Sequence, residues 1–217
     1  MALVALIWLI TARFAAIDVL TLPSGKLYEV SSRHTVEQTF IAPQDGLSRV
    51  DSWLSPSTAA CNLTFQVEAI KDAGSESPPA DPQVIRQFTI PANSIDPFEN
   101  TRFEFDAVPD SGGKAYAFRL TSDCPAGQPV LARGDLYDTY AQGRFFSNGA
   151  LMSQDMSFSA FHQTAAADLL KRIEPFRPPL LDSRVTFILL FLAGGGIFGW
   201  LLWHVAAGGP STPPGKN

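Results

Sequence analysis

Apolar residues are concentrated at the two ends of this chain, whereas its middle alternates between apolar and polar positions. Residues 185–205, VTFILLFLAGGGIFGWLLWHV, contain no Asp, Glu, Lys or Arg over 21 positions. A helix of that length spans roughly 31 Å, about the thickness of the hydrocarbon core of a bilayer. The run therefore predicts a C-terminal transmembrane helix, and residues 206–217 are expected to form a polar tail after it.

The residues at the borders of this run are typical of membrane interfaces. Arg184 precedes the run, and Trp200, Trp203 and His204 lie near its other end. Amphipathic rings and long cationic side chains favour the headgroup level, so these four residues are expected to be interface anchors. Ligation of a metal or a pigment by His204 is the less favoured interpretation.

The glycines inside the run predict a surface for helix packing. Gly195 and Gly199 are four positions apart, and Gly196 adjoins them. Small residues at this spacing let another transmembrane helix approach closely. The alternative is that glycine is simply common in membrane helices. We expect other transmembrane subunits to pack against this face.

The N-terminal segment is also apolar but shorter. Residues 1–10 read MALVALIWLI, and Arg13 interrupts the run. The segment lacks the basic start of a secretory signal and a strong cleavage site. An uncleaved anchor within residues 1–20 is the expectation; a short span with Arg13 at the interface and a helix lying in the interface are the alternatives.

Residues 36–162 have the pattern of a strand-rich domain. Phe103 and Phe105 alternate with polar neighbours, as do Tyr116, Phe118 and Leu120, and a period of two marks strands with one buried face. Turn residues separate the candidate strands. These candidates are residues 36–42, 47–54, 61–70, 84–90, 101–108, 115–121, 130–135 and 156–162. The pattern predicts an antiparallel β-sandwich, jelly-roll-like in topology.

A connector is expected between this domain and the C-terminal span. Residues 165–173 have a helical pattern with Leu169, Leu170 and Ile173 on one face, and Pro175, Pro178 and Pro179 then prevent a regular helix. Residues 165–182 are therefore predicted to be a helical and proline-rich connector.

Three segments of the middle carry a resemblance to a known module. They read VEQTFIAPQDGLSRVDSWL, FEFDAVPDSGGKAYAFRLTSD and YAQGRFFSNGALMSQDMSF, and contain Gln38-Thr39-Phe40, Asp45-Gly46-Leu47, Asp110-Ser111 and Asn148-Gly149 in order. This order resembles the galactose-binding-like, jelly-roll β-sandwich module of bacterial membrane-anchored envelope proteins. The resemblance implies a fold more firmly than a function. The chain departs from the family pattern in having one predicted span in place of a catalytic polytopic region.

Charge and cysteine content restrict the partners and the compartment. The net charge is −5 and the pI about 5.1, which disfavours a nucleic-acid partner. Cys61 and Cys124 suggest a disulfide in an oxidising compartment such as the periplasm, with two buried free thiols as the alternative. The basic residues beside both apolar segments favour a cytoplasmic domain, but that rule is weak for long loops. We expect a bacterial inner-membrane protein with a periplasmic domain.

Few residues of the middle indicate a ligand. The aromatic residues considered for sugar binding were Trp53, Tyr116, Tyr137, Tyr140, Phe145 and Phe146. Most have strand spacing and are expected in the core, which leaves Tyr137 and Tyr140 as the weak candidate site. Asp135, Asp138 and Asp155 offer oxygen ligands for calcium, but their spacing matches no calcium loop, and solvated turns are the favoured interpretation.

The sequence contains no recognisable catalytic motif. It has no G-x-S-x-G nucleophile elbow, no paired acid/base motif and no phosphate loop after a strand. We therefore expect no enzymatic activity, cofactor or metal. The function that these patterns favour is a non-catalytic, membrane-anchored accessory or scaffold subunit of a larger respiratory or photosynthetic complex. The alternative is a carbohydrate-binding module of envelope polysaccharide machinery.

Overall fold

The computed structural model describes residues 13–21, 23 and 25–165, and these form a β-structure. Within them the only helical element is a 3₁₀ turn at Ala92–Ser94. The strands are β1 Arg13–Leu20, β2 Leu27–Val30, β3 Val36–Ile41, β4 Leu47–Ser52, β5 Leu54–Ser55, β6 Asn62–Ala69, β7 Gln83–Pro91, β8 Thr101–Val108, β9 Ala115–Ser122, β10 Val130–Arg133, β11 Phe145–Ser147, β12 Ala150–Leu151 and β13 Phe158–Ala165.

The described strands form three sheets, and every pairing between them is antiparallel. The first sheet has the order β1-β13-β4-β8, and the second has the order β12-β11-β3-β9-β6-β7. A small third sheet has the order β2-β10-β5. The antiparallel β-sandwich expected from the alternating pattern is thereby confirmed.

Aromatic side chains fill the space between the two large sheets. Phe65 of β6 stacks on Phe103 of β8 with ring centroids 3.8 Å apart, and Phe118 of β9 lies 5.3 Å from Phe158 of β13. These residues are at most 2% exposed. Aromatic pairs of this kind add to the hydrophobic stabilisation that burial itself provides. The core therefore joins the sheets through residues that alternate with polar residues along each strand.

The predicted strand over residues 47–54 is divided in the structure. β4 ends at Ser52 in the first sheet, and β5 begins at Leu54 in the third. Trp53 lies at the crossing, where its N–H donates to Ser157 O at 3.4 Å and its carbonyl accepts from Arg133 N at 3.0 Å. A pattern of alternating residues does not reveal a change of partner strand, so the sequence predicted one strand here.

A two-residue hairpin turn joins β11 and β12, two strands that the alternating pattern does not predict. Asn148 and Gly149 both have positive φ, 52° and 78°. This is the conformation of the Asn-Gly turns that match the twist of antiparallel strands. The strands are short, three and two residues, so they lack a visible period.

The expected N-terminal anchor cannot extend to residue 20, because residues 13–20 form β1. β1 pairs with β13 along its length, with Arg13 opposite Ala165 and Leu20 opposite Ser159. Val19 is buried, whereas Ile17 and Leu20 are more than half exposed. The alternation of β1 is incomplete because of an irregularity between Ile17 and Val19, which obscured the strand in the sequence. The sandwich therefore begins at β1, before the expected boundary at residue 36.

The described residues contain no helix long and apolar enough to cross a membrane. The predicted span at residues 185–205 and the tail at 206–217 lie outside the described residues. The predicted connector at 165–182 begins on Ala165, which is the last residue of β13; its remainder also lies outside the described residues.

Candidate functional site

The start of β1 and the end of β13 are paired at one end of the sandwich. β1 begins at Arg13 and β13 ends at Ala165, and these two residues are paired in the antiparallel ladder. Directly opposite residues in such a ladder have Cα atoms about 4.5–5.5 Å apart. Arg13 and Ala165 therefore lie side by side. The same end carries the loops between β3 and β4, after β6, and between β8 and β9, because Leu47 pairs with both His162 and Val108.

A disulfide joins Cys61 and Cys124 near the opposite end of the sandwich. Cys61 immediately precedes β6, and Cys124 follows β9 in the same sheet. The bond closes a sequence separation of 63 residues. Asp123 beside it accepts from the backbone N–H and the side-chain amide of Asn62, and these bonds hold the pKa of Asp123 below its ordinary value. A cross-link over a long loop stabilises chiefly by restricting the unfolded chain.

The structure brings Asp135, Tyr140 and Asp155 together in what we call the Asp155 cluster, completed by Gln38 and Thr139. Asp155 Oδ2 accepts from Tyr140 N at 2.7 Å, and Oδ1 accepts from Gln38 Nε2 at 3.3 Å. Asp135 Oδ2 accepts from Thr139 Oγ1 at 2.8 Å, and Asp135 N donates to Asp155 O at 2.8 Å. Residues 135–140 are thus folded around the buried carboxyl groups of Asp135 and Asp155.

Burial raises the pKa of Asp155 from 3.8 to about 6. Its side chain is 1% exposed, so removal from water disfavours the ionised form. The negative charge of Asp138 adds to the increase, while the hydrogen bonds from Tyr140, Thr139 and Gln38 oppose it. This carboxyl group therefore changes charge near neutral pH while it holds the loop.

The two tyrosines predicted as a sugar site have different environments. Tyr137 is 70% exposed, and its neighbour Leu136 is 57% exposed. Tyr140 is half-buried, its ring lies 5.8 Å from Phe158, and its hydroxyl accepts from Ile41 N and donates to Ile41 O. Tyr140 therefore has a structural role, and of the two tyrosines only Tyr137 is largely exposed to solvent. Of the other aromatic candidates, Tyr116, Phe145 and Phe146 are buried.

The three aspartates considered for calcium do not form a metal site in the described part of the chain. There, the one group of acidic, histidine or cysteine side chains close enough to share an ion is Cys61, Asp123 and Cys124. Both thiols of that group are in the disulfide, so they cannot act as thiolate ligands. Asp135 and Asp155 instead accept hydrogen bonds from the loop that they organise.

A second buried acidic group, which the sequence did not reveal, lies on the outer face of the six-stranded sheet. In this Arg119 cluster, Arg119 Nη2 of β9 lies 2.8 Å from Glu37 Oε2 of β3 and 3.4 Å from Glu68 Oε2 of β6. The loop after β6 lies over the same face, since Thr39 Oγ1 donates to Ala73 O at 2.6 Å. Burial raises the pKa of both glutamates, and Arg119 opposes the increase.

The Arg119 cluster leaves its acids incompletely satisfied. Glu37 Oε1 is buried and has no hydrogen-bond donor among the described residues. Two carboxylates share one guanidinium, so the cluster has one acid more than it has cations. Charged residues in the outward positions of three strands are the available signal, but only the strand register shows that they meet.

A histidine–aspartate pair lies within the β1–β13 ladder, where Asp18 occupies the irregularity between Ile17 and Val19. His162 Nδ1 is 2.8 Å from Asp18 Oδ2, and the two side chains are 3% and 5% exposed. A general base needs access to the proton that it removes. At this exposure the pair has the surroundings of a structural contact between neighbouring strands.

The residues predicted for the membrane interface and for helix packing lie outside the described residues. They are Arg184, Gly195, Gly196, Gly199, Trp200, Trp203 and His204.

Comparisons with known proteins identify no family. No family model matches the chain, and no curated protein matches it. Among solved structures, the infectious bursal disease virus VP2 subviral particle is similar at 10% identity and a TM-score of 0.21, over 83% of this chain and 46% of the viral one. The chain thus spans less than half the length of that protein, and a likeness at this TM-score supports no inference.

Proposed function

We propose that this protein is a non-catalytic accessory or scaffold subunit of a larger bacterial membrane complex, respiratory or photosynthetic in type. In this proposal the chain is anchored in the inner membrane, and its jelly-roll-like, galactose-binding-like sandwich lies on the periplasmic side. Other transmembrane subunits and the lipid bilayer are its partners.

The observation that carries the proposal is the pairing of Arg13 with Ala165. An apolar segment precedes the first residue, and the 21-residue uncharged run follows the second. The first segment adjoins β1, and residues 166–184 connect β13 to the uncharged run, so both segments can lead from the same end of the sandwich to one membrane surface. The end of the sandwich that contains Arg13 and Ala165 would then face the membrane.

The disulfide supports the periplasmic side of the proposal. Cross-links such as that between Cys61 and Cys124 persist in oxidising compartments and are rare in the cytosol. Labelling of free thiols in intact cells, with and without prior reduction, measures its state. A Cys61 thiol that is found reduced in freshly lysed cells contradicts the periplasmic assignment.

Membrane anchoring is tested by extracting membranes with alkaline carbonate. The full chain is expected to stay in the pellet, and a chain ending at residue 184 is expected to be released in part or completely. Release of the full chain would contradict the anchored subunit directly.

The accessory role is tested by co-purification in mild detergent. Gly195→Leu with Gly199→Leu places bulk on the predicted packing face and is expected to remove the partner subunits. Ala193→Leu is the matched control, because position 193 lies on the opposite side of a regular helix. Partners that co-purify equally with all three chains would refute the packing face.

Carbohydrate binding is the second candidate, and the exposure of Tyr137 favours it. An exposed aromatic ring beside Asp138 is a suitable surface for stacking a sugar ring with a polar neighbour. Binding of the full chain to an envelope-glycan array, lost in Tyr137→Ala and kept in Tyr140→Phe, would favour this candidate over the accessory role.

A further inference from the structure

A shallow depression lies at the end of the six-stranded sheet where β6 ends and β9 begins. It has a volume of about 420 Å³, and its floor includes Ile41, Ala69, Ile70 and Tyr116. Lys71 and Lys114 line it and are exposed. Its size is within the range of pockets that take small ligands, roughly 300–1,000 Å³. Apolar residues and two cations thus meet in one concave surface.

The strand register brings the two lysines to neighbouring positions. Ala69 pairs with Tyr116 in the β6–β9 ladder, and Ile70 N donates to Ala115 O at 3.1 Å beyond it. The next residues along the two segments are Lys71 and Lys114. Like charges in opposed positions of adjacent strands are destabilising unless an anion lies between them.

No acidic side chain of the described residues neutralises these lysines. The ion pairs among those residues involve neither Lys71 nor Lys114 within 4.0 Å. Asp72 also lines the depression, but its Oδ1 accepts from Gly74 N at 2.8 Å. Nearby Asp45 accepts from Gly112 N at 2.8 Å. Asp72 is therefore bonded within its own loop, and Asp45 is bonded to the loop between β8 and β9.

We propose that this depression binds the phosphate of an anionic lipid headgroup between Lys71 and Lys114. The inference rests on the membrane anchoring proposed above, because the depression is at the same end of the sandwich as Arg13 and Ala165. The floor explains the choice of a lipid over free phosphate. A glycerol backbone and the first acyl carbons gain contact with Ile41 and Ile70, whereas an inorganic ion has no apolar surface to bury.

The test is a titration of the full chain, purified in a neutral detergent, with dihexanoylphosphatidylglycerol. The wild type is expected to bind saturably, and Lys71→Ala with Lys114→Ala to bind at least tenfold more weakly. Lys71→Arg with Lys114→Arg keeps both charges and is expected to keep most of the affinity. Lys26→Ala is the matched control, since Lys26 is an exposed lysine elsewhere in the fold, above the Tyr28 ring. Raised salt is expected to weaken the interaction.

Two further arms identify the source of the phosphate. Dihexanoylphosphatidylcholine is expected to bind more weakly, because its choline is repelled by the lysines, and inorganic phosphate more weakly still. Phosphate that binds as tightly as phosphatidylglycerol would overturn the lipid assignment, as would equal affinity in the double alanine variant or no saturable binding. The titration is made in detergent, so its failure is distinct from release of the chain in the carbonate wash.

Discussion

The Asp155 cluster and the Arg119 cluster both contain buried acidic side chains, but different groups stabilise those side chains. Asp155 is held by two backbone N–H groups and one side-chain amide, all of which are neutral donors. Glu37 and Glu68 instead depend on one cation. Burial raises the pKa of all three acids.

The two clusters therefore differ in whether their acidic side chains need a cation to remain buried. In the Arg119 cluster the guanidinium is required as long as either glutamate is ionised, since an unpaired buried charge is costly. In the Asp155 cluster no cation is required, and the carboxyl can take up a proton while the loop remains packed. The first cluster ties three strands together, and the second positions the exposed Leu136 and Tyr137.

The largest effect is expected from Arg119→Met. Breaking a buried ion pair from one side costs about 3–5 kcal/mol; because Arg119 is 29% exposed, we expect a loss of about 3 kcal/mol in the free energy of unfolding. Urea unfolding at pH 7 measures it. Adding Glu37→Gln and Glu68→Gln to the same chain should recover most of the loss, and a triple variant as unstable as Arg119→Met would show that the cost is packing and not charge.

Asp155→Ala is expected to cost slightly less, about 2–3 kcal/mol, because Gln38 Nε2 and Tyr140 N then lose a buried acceptor. The loop should also open, so hydrogen exchange at residues 135–140 should increase while β3 and β9 stay protected. Exchange that increases equally in the Arg119→Met variant at the same loop would remove the distinction between the two clusters.

The pH dependence of the free energy of unfolding also separates the two clusters. An acid whose folded pKa is raised binds its proton more tightly in the folded state, so its stabilising contribution is present at low pH and declines as pH rises. For Asp155 the window is from about pH 4 to about pH 6, and the change is on the order of 2 kcal/mol. Unfolding of the wild type and of Asp155→Asn is compared at pH 4, 5, 6 and 7; Glu37 and Glu68 are present in both proteins. Parallel pH profiles would contradict the raised pKa of Asp155.

The smallest effect is expected from Tyr140→Phe. The hydroxyl bonds to the backbone of Ile41, so its removal should cost about 1 kcal/mol. Tyr137→Ala, the exposed counterpart, should leave the melting temperature within error of the wild type. A larger loss in Tyr137→Ala than in Tyr140→Phe would mean that the exposed ring is packed in the full chain.

Sequence periodicity predicted much of the sandwich but not its contacts. All eight predicted strand segments overlap an observed strand, because their aromatic and aliphatic residues recur with a period of two. β1, β2, β11 and β12 were missed, since they are short, irregular or at the edge of a sheet. The position of Tyr137 outside the strand periodicity predicted its exposure. Tyr140 lies three residues further along the chain and has a structural role that its sequence context does not show.

Three features could be recognised in the amino-acid sequence alone: the alternating strands, the uncharged run at residues 185–205 and the two cysteines available for a cross-link. These follow from local spacing, which a linear pattern contains. Three features became visible only in the folded chain: Glu37 and Glu68 share Arg119, Asp155 organises residues 135–140, and Arg13 pairs with Ala165. Those neighbours are between 15 and 152 positions apart in the chain. Strand register brings Arg13 beside Ala165 and Arg119 beside the two glutamates, whereas hydrogen bonds between loops bring Asp155 to residues 135–140.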